Sequence, residues 1–270
     1  MTLDLRIRDH QFEPGERITV ARSPNVGGEI APSCLVLHYT AGRSLDSSVA
    51  HFMRPAAQAS AHLVVGRDGR VVQLVPFNRS AWHAGRSTWK GLQGLNQHSI
   101  GIELDNAGRL VRSGAGYRAW FQEVYPAADV VTARHRNEQA DACWHAFTDV
   151  QVETALDIAV ALVRAYPLGE ILGHDDIAPG RKCDPGPAFP MESFRAAVFG
   201  RRDDAPQRHV VTATLLNLRA GPGRQHAVLA RLAQGLQVDL LEVQDGWGRV
   251  TLGGLTSGGW VSLDYIRAIE

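Results

Sequence analysis

Apolar residues fall into two regimes along the 270 residues of this chain. Up to about residue 200, short apolar runs alternate with helix-period segments. Cys34-Leu35-Val36-Leu37 is an apolar run that ends at His38; bounded by Pro32 and Gly42, it reads as a buried strand. Ser44 to Met53 reads as a short helix with Ser44 or Asp46 as N-cap and Pro55 closing it. Ala61–Val65 and Val71–Val75 are β-prone and flank Arg67-Asp68-Gly69-Arg70, where Asp-Gly signals a hairpin turn. Ile100–Leu104 is another apolar strand. The clearest helix is Thr148–Tyr166: Thr148 and Gln151 match a capping box, Val152, Leu156, Val160 and Val163 share a face, and Pro167 stops it. A last short helix spans Met191–Phe199. This mixture predicts an α/β fold, a mixed sheet flanked by helices.

Two stretches depart from that rhythm. Between Arg109 and Phe147, Gly114, Gly116 and Pro126 break the pattern, which reads as a surface insertion with some helix. His135 and His145 lie there and are expected to be solvated or capping. After Phe199 the character changes: Val210–Thr214, Leu236–Val243, Gly248–Leu252 and Gly259–Val261 are short β-prone runs between glycine-rich turns, predicting a small all-β barrel or meander. Polar residues 201–208 read as a linker, so the expected division is 1–200, a linker at 201–208, and 209–270.

Composition narrows the function. With 28 basic and 28 acidic residues the formal charge is zero, which gives no basic footprint for nucleic acid or for membrane surfaces. No apolar stretch is long enough to insert into a bilayer. Residues 1–20 carry Asp4 and Asp9 and no apolar core, so they read as no secretory signal. The expectation is synthesis in the cytoplasm, with any access to targets outside it by another route, such as non-classical export or phage-type release. Three irregularly spaced cysteines, Cys34, Cys143 and Cys183, argue for thiols rather than a disulfide framework. Lys90 and Lys182 are the only lysines among the basic residues.

Metal chemistry is one reading of the histidines. A catalytic zinc takes three His, Cys or carboxylate ligands and keeps a position open. His38 ends an apolar strand, His174 follows the apolar Ile171-Leu172, and Asp184 sits in a loop stiffened by Pro185 and Pro187. A strand-end histidine is as readily structural as ligating, and spacing alone leaves both readings open. Cys183 is expected to point away from Asp184, because side chains alternate in an extended loop.

Leu37-His38-Tyr39-Thr40-Ala41, Ala61-His62, Ala81-Trp82-His83-Ala84-Gly85, Ser99-Ile100-Gly101-Ile102-Glu103-Leu104 and the long run from Gly173-His174-Asp175-Asp176 through Arg181-Lys182-Cys183-Asp184-Pro185-Gly186-Pro187 resemble the type-2 N-acetylmuramoyl-L-alanine amidase family, which includes the peptidoglycan recognition proteins. The resemblance covers residues 15–200. It implies one Zn2+ held by His38, His174 and Asp184, Glu103 activating water, and Lys182 stabilising the oxyanion. It places His62 and His83 along the cleft, where the alternatives are binding substrate, orienting groups around the metal, or a structural role; the remaining substrate-binding candidates are Tyr39, which follows a ligand and lines the pocket, and Trp82, which packs under a sugar or fills the core. The implied reaction is hydrolysis of the amide between N-acetylmuramic acid and L-alanine in peptidoglycan or muropeptides. A compact ammonium suits a small oxyanion better than a guanidinium fork, so a lysine at 182 in an arginine-rich chain agrees with that role.

Leu216-Asn217-Leu218-Arg219-Ala220-Gly221-Pro222-Gly223, Asp245-Gly246-Trp247-Gly248 and Gly259-Trp260-Val261 resemble a bacterial SH3 domain, which implies a wall-binding module. Trp247 and Trp260 are expected in its core or along a groove. Together the two resemblances imply action on wall polymer, as a lysin, remodelling enzyme or effector. The alternatives are a non-catalytic peptidoglycan receptor on the same scaffold and a cytosolic amidase recycling soluble muropeptides.

Overall fold

A computed structural model describes residues 5–200, 207–251 and 258–269. The chain forms two compact units, residues 1–130 with 134–189, and residues 131–133 with 190–270. Most of the expected linker, residues 201–206, lies outside the described residues, as does Leu252.

The first unit is built on a six-stranded mixed sheet in the order Glu170–Gly173, Cys34–Tyr39, Ser99–Leu104, Leu63–Val65, Val71–Gln73, Ile18–Val20. The first four strands run parallel, and Leu63–Val65 turns back antiparallel into Val71–Gln73 through the Asp68-Gly69 hairpin. Central parallel strands are covered on both faces, which is why they read as unbroken apolar runs: Cys34–Leu37 and all of Ser99–Leu104 are buried. Register carries the functional consequence. Glu103 lies directly beside His38, and Gly173 beside Leu37, so that His174 follows one step beyond. Neighbouring strands are about 4.8 Å apart, so three chemically able residues gather at the carboxyl ends of three adjacent parallel strands, where open α/β sheets form their ligand crevices.

The helices follow the sequence closely in extent. Leu45–Phe52 is capped by Ser44, whose hydroxyl accepts from the Ser47 amide at 3.2 Å. Asp149–Ala165 is capped by Thr148, but two details differ from the pattern reading. Its buried stripe is Gln151, Val152, Thr154, Ala155, Ile158, Ala159 and Leu162, while Leu156, Val160 and Val163 are only half-buried. Gln151 also does not close a capping box. Its Nε2 donates instead to the carbonyls of Val65 and Asp105, both at 3.0 Å, tying the helix to the ends of two strands. A buried amide with backbone work to do outranks apolar periodicity in setting which side faces in.

Residues 109–147 correct the expectation of helix. They hold strands Arg109–Ser113, Gly116–Arg118, Val124–Tyr125 and Asp141–His145, with antiparallel pairing between the first and second, the second and third, and the first and fourth. Their helical content in the first unit is one short 3-10 turn, Ala127–Asp129. His135 and His145 are likewise not solvated: both are buried, and His145 Nδ1 accepts from the Ala107 amide at 3.1 Å.

In the second unit, helix Met191–Phe199 precedes a seven-stranded antiparallel sheet among the described residues: Val228–Ala233, Leu215–Arg219, Gly259–Ser262, Trp247–Thr251, Gln237–Gln244, Gln207–Val211, Ile266–Ala268. Val211, Leu216, Leu218, Leu232, Val238, Val250, Val261 and Ile266 form its core. Trp260 is buried, whereas Trp247 lines a groove of about 340 Å³ with Leu215, Asn217 and Tyr265. No described helix is long and apolar enough to cross a membrane. All three cysteines are free.

Candidate metal centre and active-site cleft

His38, His174 and Asp184 converge at the crevice. His38 Nδ1 stands 2.9 Å from His174 Nδ1 and 3.0 Å from Asp184 Oδ2, and His174 Nδ1 is 2.9 Å from the same oxygen. His38 is placed by its strand. His174 opens the short helix His174–Ile177, whose start is set by Asp176 Oδ2 accepting the Gly173 amide at 2.7 Å. The Asp184 loop is drawn in by the Asp175 amide, which donates to the Asp184 carbonyl at 3.0 Å.

Hydrogen-bond direction tests whether a metal fits. His174 Nε2 faces the Ala84 carbonyl at 3.2 Å. A carbonyl only accepts, so the hydrogen of the neutral ring is on Nε2 and Nδ1 is bare. That bare nitrogen points at a carboxylate oxygen and a second imidazole nitrogen. The bare His174 Nδ1 and the Asp184 carboxylate oxygen, facing each other at 2.9 Å, repel unless a cation lies between them. A tetrahedral zinc with bonds of about 2.0–2.1 Å has ligand edges of about 3.3–3.4 Å, so small outward shifts would seat it. Burial, then the neighbouring His174, push His38 down to about 4, so its ring is neutral at physiological pH, the state a ligand requires.

Glu103 projects into the same cleft, a cavity of about 420 Å³ that also takes in Tyr39, Trp82, Lys182 and Cys183. Its Oε2 is buried without a hydrogen-bond partner. Burial and the Asp184 carboxylate push the Glu103 carboxyl up to about 8, and the Lys182 ammonium partly offsets them. Such a carboxyl holds or releases a proton near neutrality, the property a general acid–base needs. Lys182 is exposed at the rim. Cys183 stays out of the ligand group and turns its sulfur to the Tyr39 hydroxyl at 3.1 Å.

Of the four residues expected to meet substrate, Tyr39, Trp82 and His83 line the cleft. His62 does not. It is fully buried, its Nδ1 accepts from the Gly101 amide at 2.9 Å, and its Nε2 donates to the Arg79 carbonyl at 2.8 Å. Both ring nitrogens are spent on the backbone, so the histidine clamps the sheet.

The excursion at 109–147 contributes residues that sequence reasoning passed over. His135 Nε2 lies 2.9 Å from Asp175 Oδ2, and Arg136 bridges Asp175 Oδ1 at 2.9 Å and Asp176 Oδ1 at 2.8 Å. This clamp grips the two residues after His174 from an element some 40 positions away, and no local pattern could reveal it. Arg136→Ala is expected to weaken zinc binding about threefold to tenfold by loosening the His174 helix. Competition with a chromophoric chelator would measure it.

The N-acetylmuramoyl-L-alanine amidase family profile matches residues 28–187, and the bacterial SH3 domain profile matches residues 214–267. The chain belongs to the N-acetylmuramoyl-L-alanine amidase family, with a bacterial SH3 domain after it. It is 36% identical over 143 residues to the 1,6-anhydro-N-acetylmuramyl-L-alanine amidase AmpD of Escherichia coli, covering 52% of this chain and 59% of that protein. It is 34% identical over 209 residues to the N-acetylmuramoyl-L-alanine amidase AmiD of Escherichia coli, covering 70% of this chain and 65% of that one. The chain thus spans about three fifths of the length of these curated relatives. A solved complex of E. coli AmiD with anhydro-N-acetylmuramic acid-L-Ala-D-gamma-Glu-L-Lys aligns with 29% identity and a TM-score of 0.48 over 75% of this chain and 67% of that one. Zinc dependence is general in this family, and the His38, His174 and Asp184 group is able to hold a metal.

Proposed function

We propose that this chain is a zinc-dependent amidase that cleaves the bond between the lactyl carbonyl of N-acetylmuramic acid and the nitrogen of L-alanine. The observation that carries this reading is the convergence of two histidine nitrogens and one carboxylate oxygen within 3.0 Å, with the buried, unpartnered Glu103 Oε2 one strand away. His38, His174 and Asp184 would hold one Zn2+. When bound, zinc lowers the pKa of water toward neutrality and polarises the scissile carbonyl. Glu103 Oε2 accepts the proton that the attacking water loses as its oxygen joins the carbonyl carbon. The oxyanion so formed is met by the Lys182 ammonium at the rim, worth a few kcal/mol for one good donor. Glu103 then returns its proton to the alanine nitrogen as the C–N bond breaks, leaving a lactyl carboxylic acid and a peptide amine; passage of the acid proton to the amine gives the carboxylate and ammonium products. Tyr39 and Trp82 wall the cleft where substrate enters. A non-catalytic receptor role is disfavoured, because the ligand set is accompanied by both Glu103 and Lys182.

We further propose that the physiological substrate is wall polymer. The bacterial SH3 match supports this, since a tethered binding module raises the local concentration of polymer without adding chemistry. Its groove beside Trp247 and Tyr265 is the candidate contact. The likeness to a 1,6-anhydro-muropeptide amidase favours a second reading, soluble anhydro-muropeptides. Digesting sacculi and purified anhydro-muropeptides side by side, with mass spectrometry of the products, separates these. Release of free stem peptides from sacculi at the higher rate is the expected result. Much faster turnover of the small fragments would select the second reading, and intact substrates in both arms with zinc present would remove the amidase assignment.

A further inference from the structure

Behind the crevice, a polar chain leads away from His38. His38 Nε2 is 2.9 Å from His83 Nδ1, His83 Nε2 is 3.4 Å from Ser99 Oγ, and Ser99 Oγ is 2.5 Å from the Leu95 carbonyl. Only one arrangement of hydrogens satisfies every link. The Leu95 carbonyl accepts, so the Ser99 hydroxyl donates to it. With its single hydrogen spent, Ser99 Oγ can only accept from His83, whose hydrogen must therefore be on Nε2. That leaves His83 Nδ1 bare, and a bare Nδ1 accepts from His38 Nε2–H. The remaining His38 nitrogen, Nδ1, then presents its lone pair toward Asp184 and His174.

We infer that His83 is a positioning residue of the metal centre, which fixes His38 in the Nε2–H tautomer through Ser99 and the Leu95 carbonyl and so aims His38 Nδ1 at the metal. This rests on the metal reading given above. Ring placement supports it. A Cβ on Gly101 would come within 2.4–2.6 Å of three His83 ring atoms, so the ring packs into the space that the missing side chain of Gly101 leaves. The main chain is held as firmly, since Asn96 Oδ1 accepts from the amides of His83 at 3.0 Å and Ala84 at 2.7 Å. Because the Ala84 carbonyl also receives His174 Nε2–H, the dipeptide His83-Ala84 sets the tautomer of both ligand histidines. A metal-bound imidazole ordinarily donates its second N–H to a carboxylate, a carbonyl or water. Here a second histidine takes that place for His38, at 2.9 Å.

The test is zinc affinity of the full chain, measured by competition with a chromophoric chelator and set beside the melting temperature of the metal-free protein. His83→Ala is expected to bind zinc about 10–100-fold more weakly. His83→Asn places an amide oxygen where Nδ1 accepted, and is expected to recover to within about threefold of wild type. Ser99→Ala removes the hydroxyl link, while the Ser99 carbonyl still accepts from the His83 ring, so a loss of no more than about threefold is expected. In 15N-histidine-labelled zinc-loaded protein, His38 should show metal on Nδ1 and hydrogen on Nε2. Wild-type affinity in His83→Ala would overturn the inference, as would metal on His38 Nε2. Equal weakness of Asn and Ala variants with matching metal-free melting temperatures would also overturn it. Failure of the wild type itself to bind zinc would instead remove the metal reading.

Discussion

Glu103→Ala is expected to retain zinc at wild-type stoichiometry while turnover of muropeptides falls about 10²–10⁴-fold, the range associated with removing a general acid–base group. Retention follows from the geometry. Glu103 is not one of the three converging atoms, and its Oε2 makes no hydrogen bond whose loss would disturb them. Loss of rate follows from its position beside His38 on the neighbouring strand, where no other described carboxylate outside the ligand group lines the cleft. Glu103→Gln keeps the shape and removes the proton-accepting oxygen, so it should be as impaired as the alanine variant. Metal analysis and single-turnover kinetics on one preparation check both halves. Zinc lost from Glu103→Ala would contradict the acid–base role, and activity within threefold of wild type would remove it.

The parts of this site legible in the sequence were those carried by a local signal. The apolar run ending at His38, the run through Ile100–Leu104, and the stiff loop around Asp184 each mark an element, and the structure brings His38 beside Asp184 and Glu103 into the same cleft. What the runs could not contain was register. That Glu103 pairs with His38, and not with a residue two steps away, is settled by sheet pairing between strands more than 60 positions apart. Residues 109–147 carry no such signal for a related reason. Their strands are two to five residues long and mix buried, half-buried and exposed positions, so no period develops, and their stability comes from pairing rather than propensity. His135 looked solvated because its partner, Asp175, lies 40 residues on. The same holds for His62 and His83. Both sit in motifs that resemble cleft residues, yet their roles diverge on which atoms face each ring nitrogen: two backbone groups for His62, and a ligand histidine plus a serine for His83.

The outer contacts of the centre share a design. The parts that orient the ligand residues come from outside the central strands: the Ala84 carbonyl and the His83 ring from one segment, Arg136 and His135 from the excursion, and the Asp175 amide from the short helix. Rigid strands supply position, and these contacts supply orientation, a division expected where a metal site must hold its geometry without the metal.

Removing a ligand should therefore act differently from removing any of these supports. His174→Ala is expected to abolish tight zinc binding and with it all measurable turnover, because two donors, His38 and Asp184, remain where a catalytic site needs three. Stability should follow by linkage. A ligand that binds only the folded state contributes about 4 kcal/mol when present at a thousandfold excess over its dissociation constant. Wild-type protein should therefore melt several degrees lower after chelation, and zinc should restore it. His174→Ala should melt at one temperature with or without added zinc. The variant also relieves the metal-free protein of the bare His174 Nδ1 facing Asp184 Oδ2 at 2.9 Å, so its melting temperature should lie at or above that of chelated wild type. Calorimetry of the four samples decides the point: a zinc-induced shift surviving in His174→Ala would place the metal elsewhere, and a variant far less stable than chelated wild type would make His174 a structural residue first.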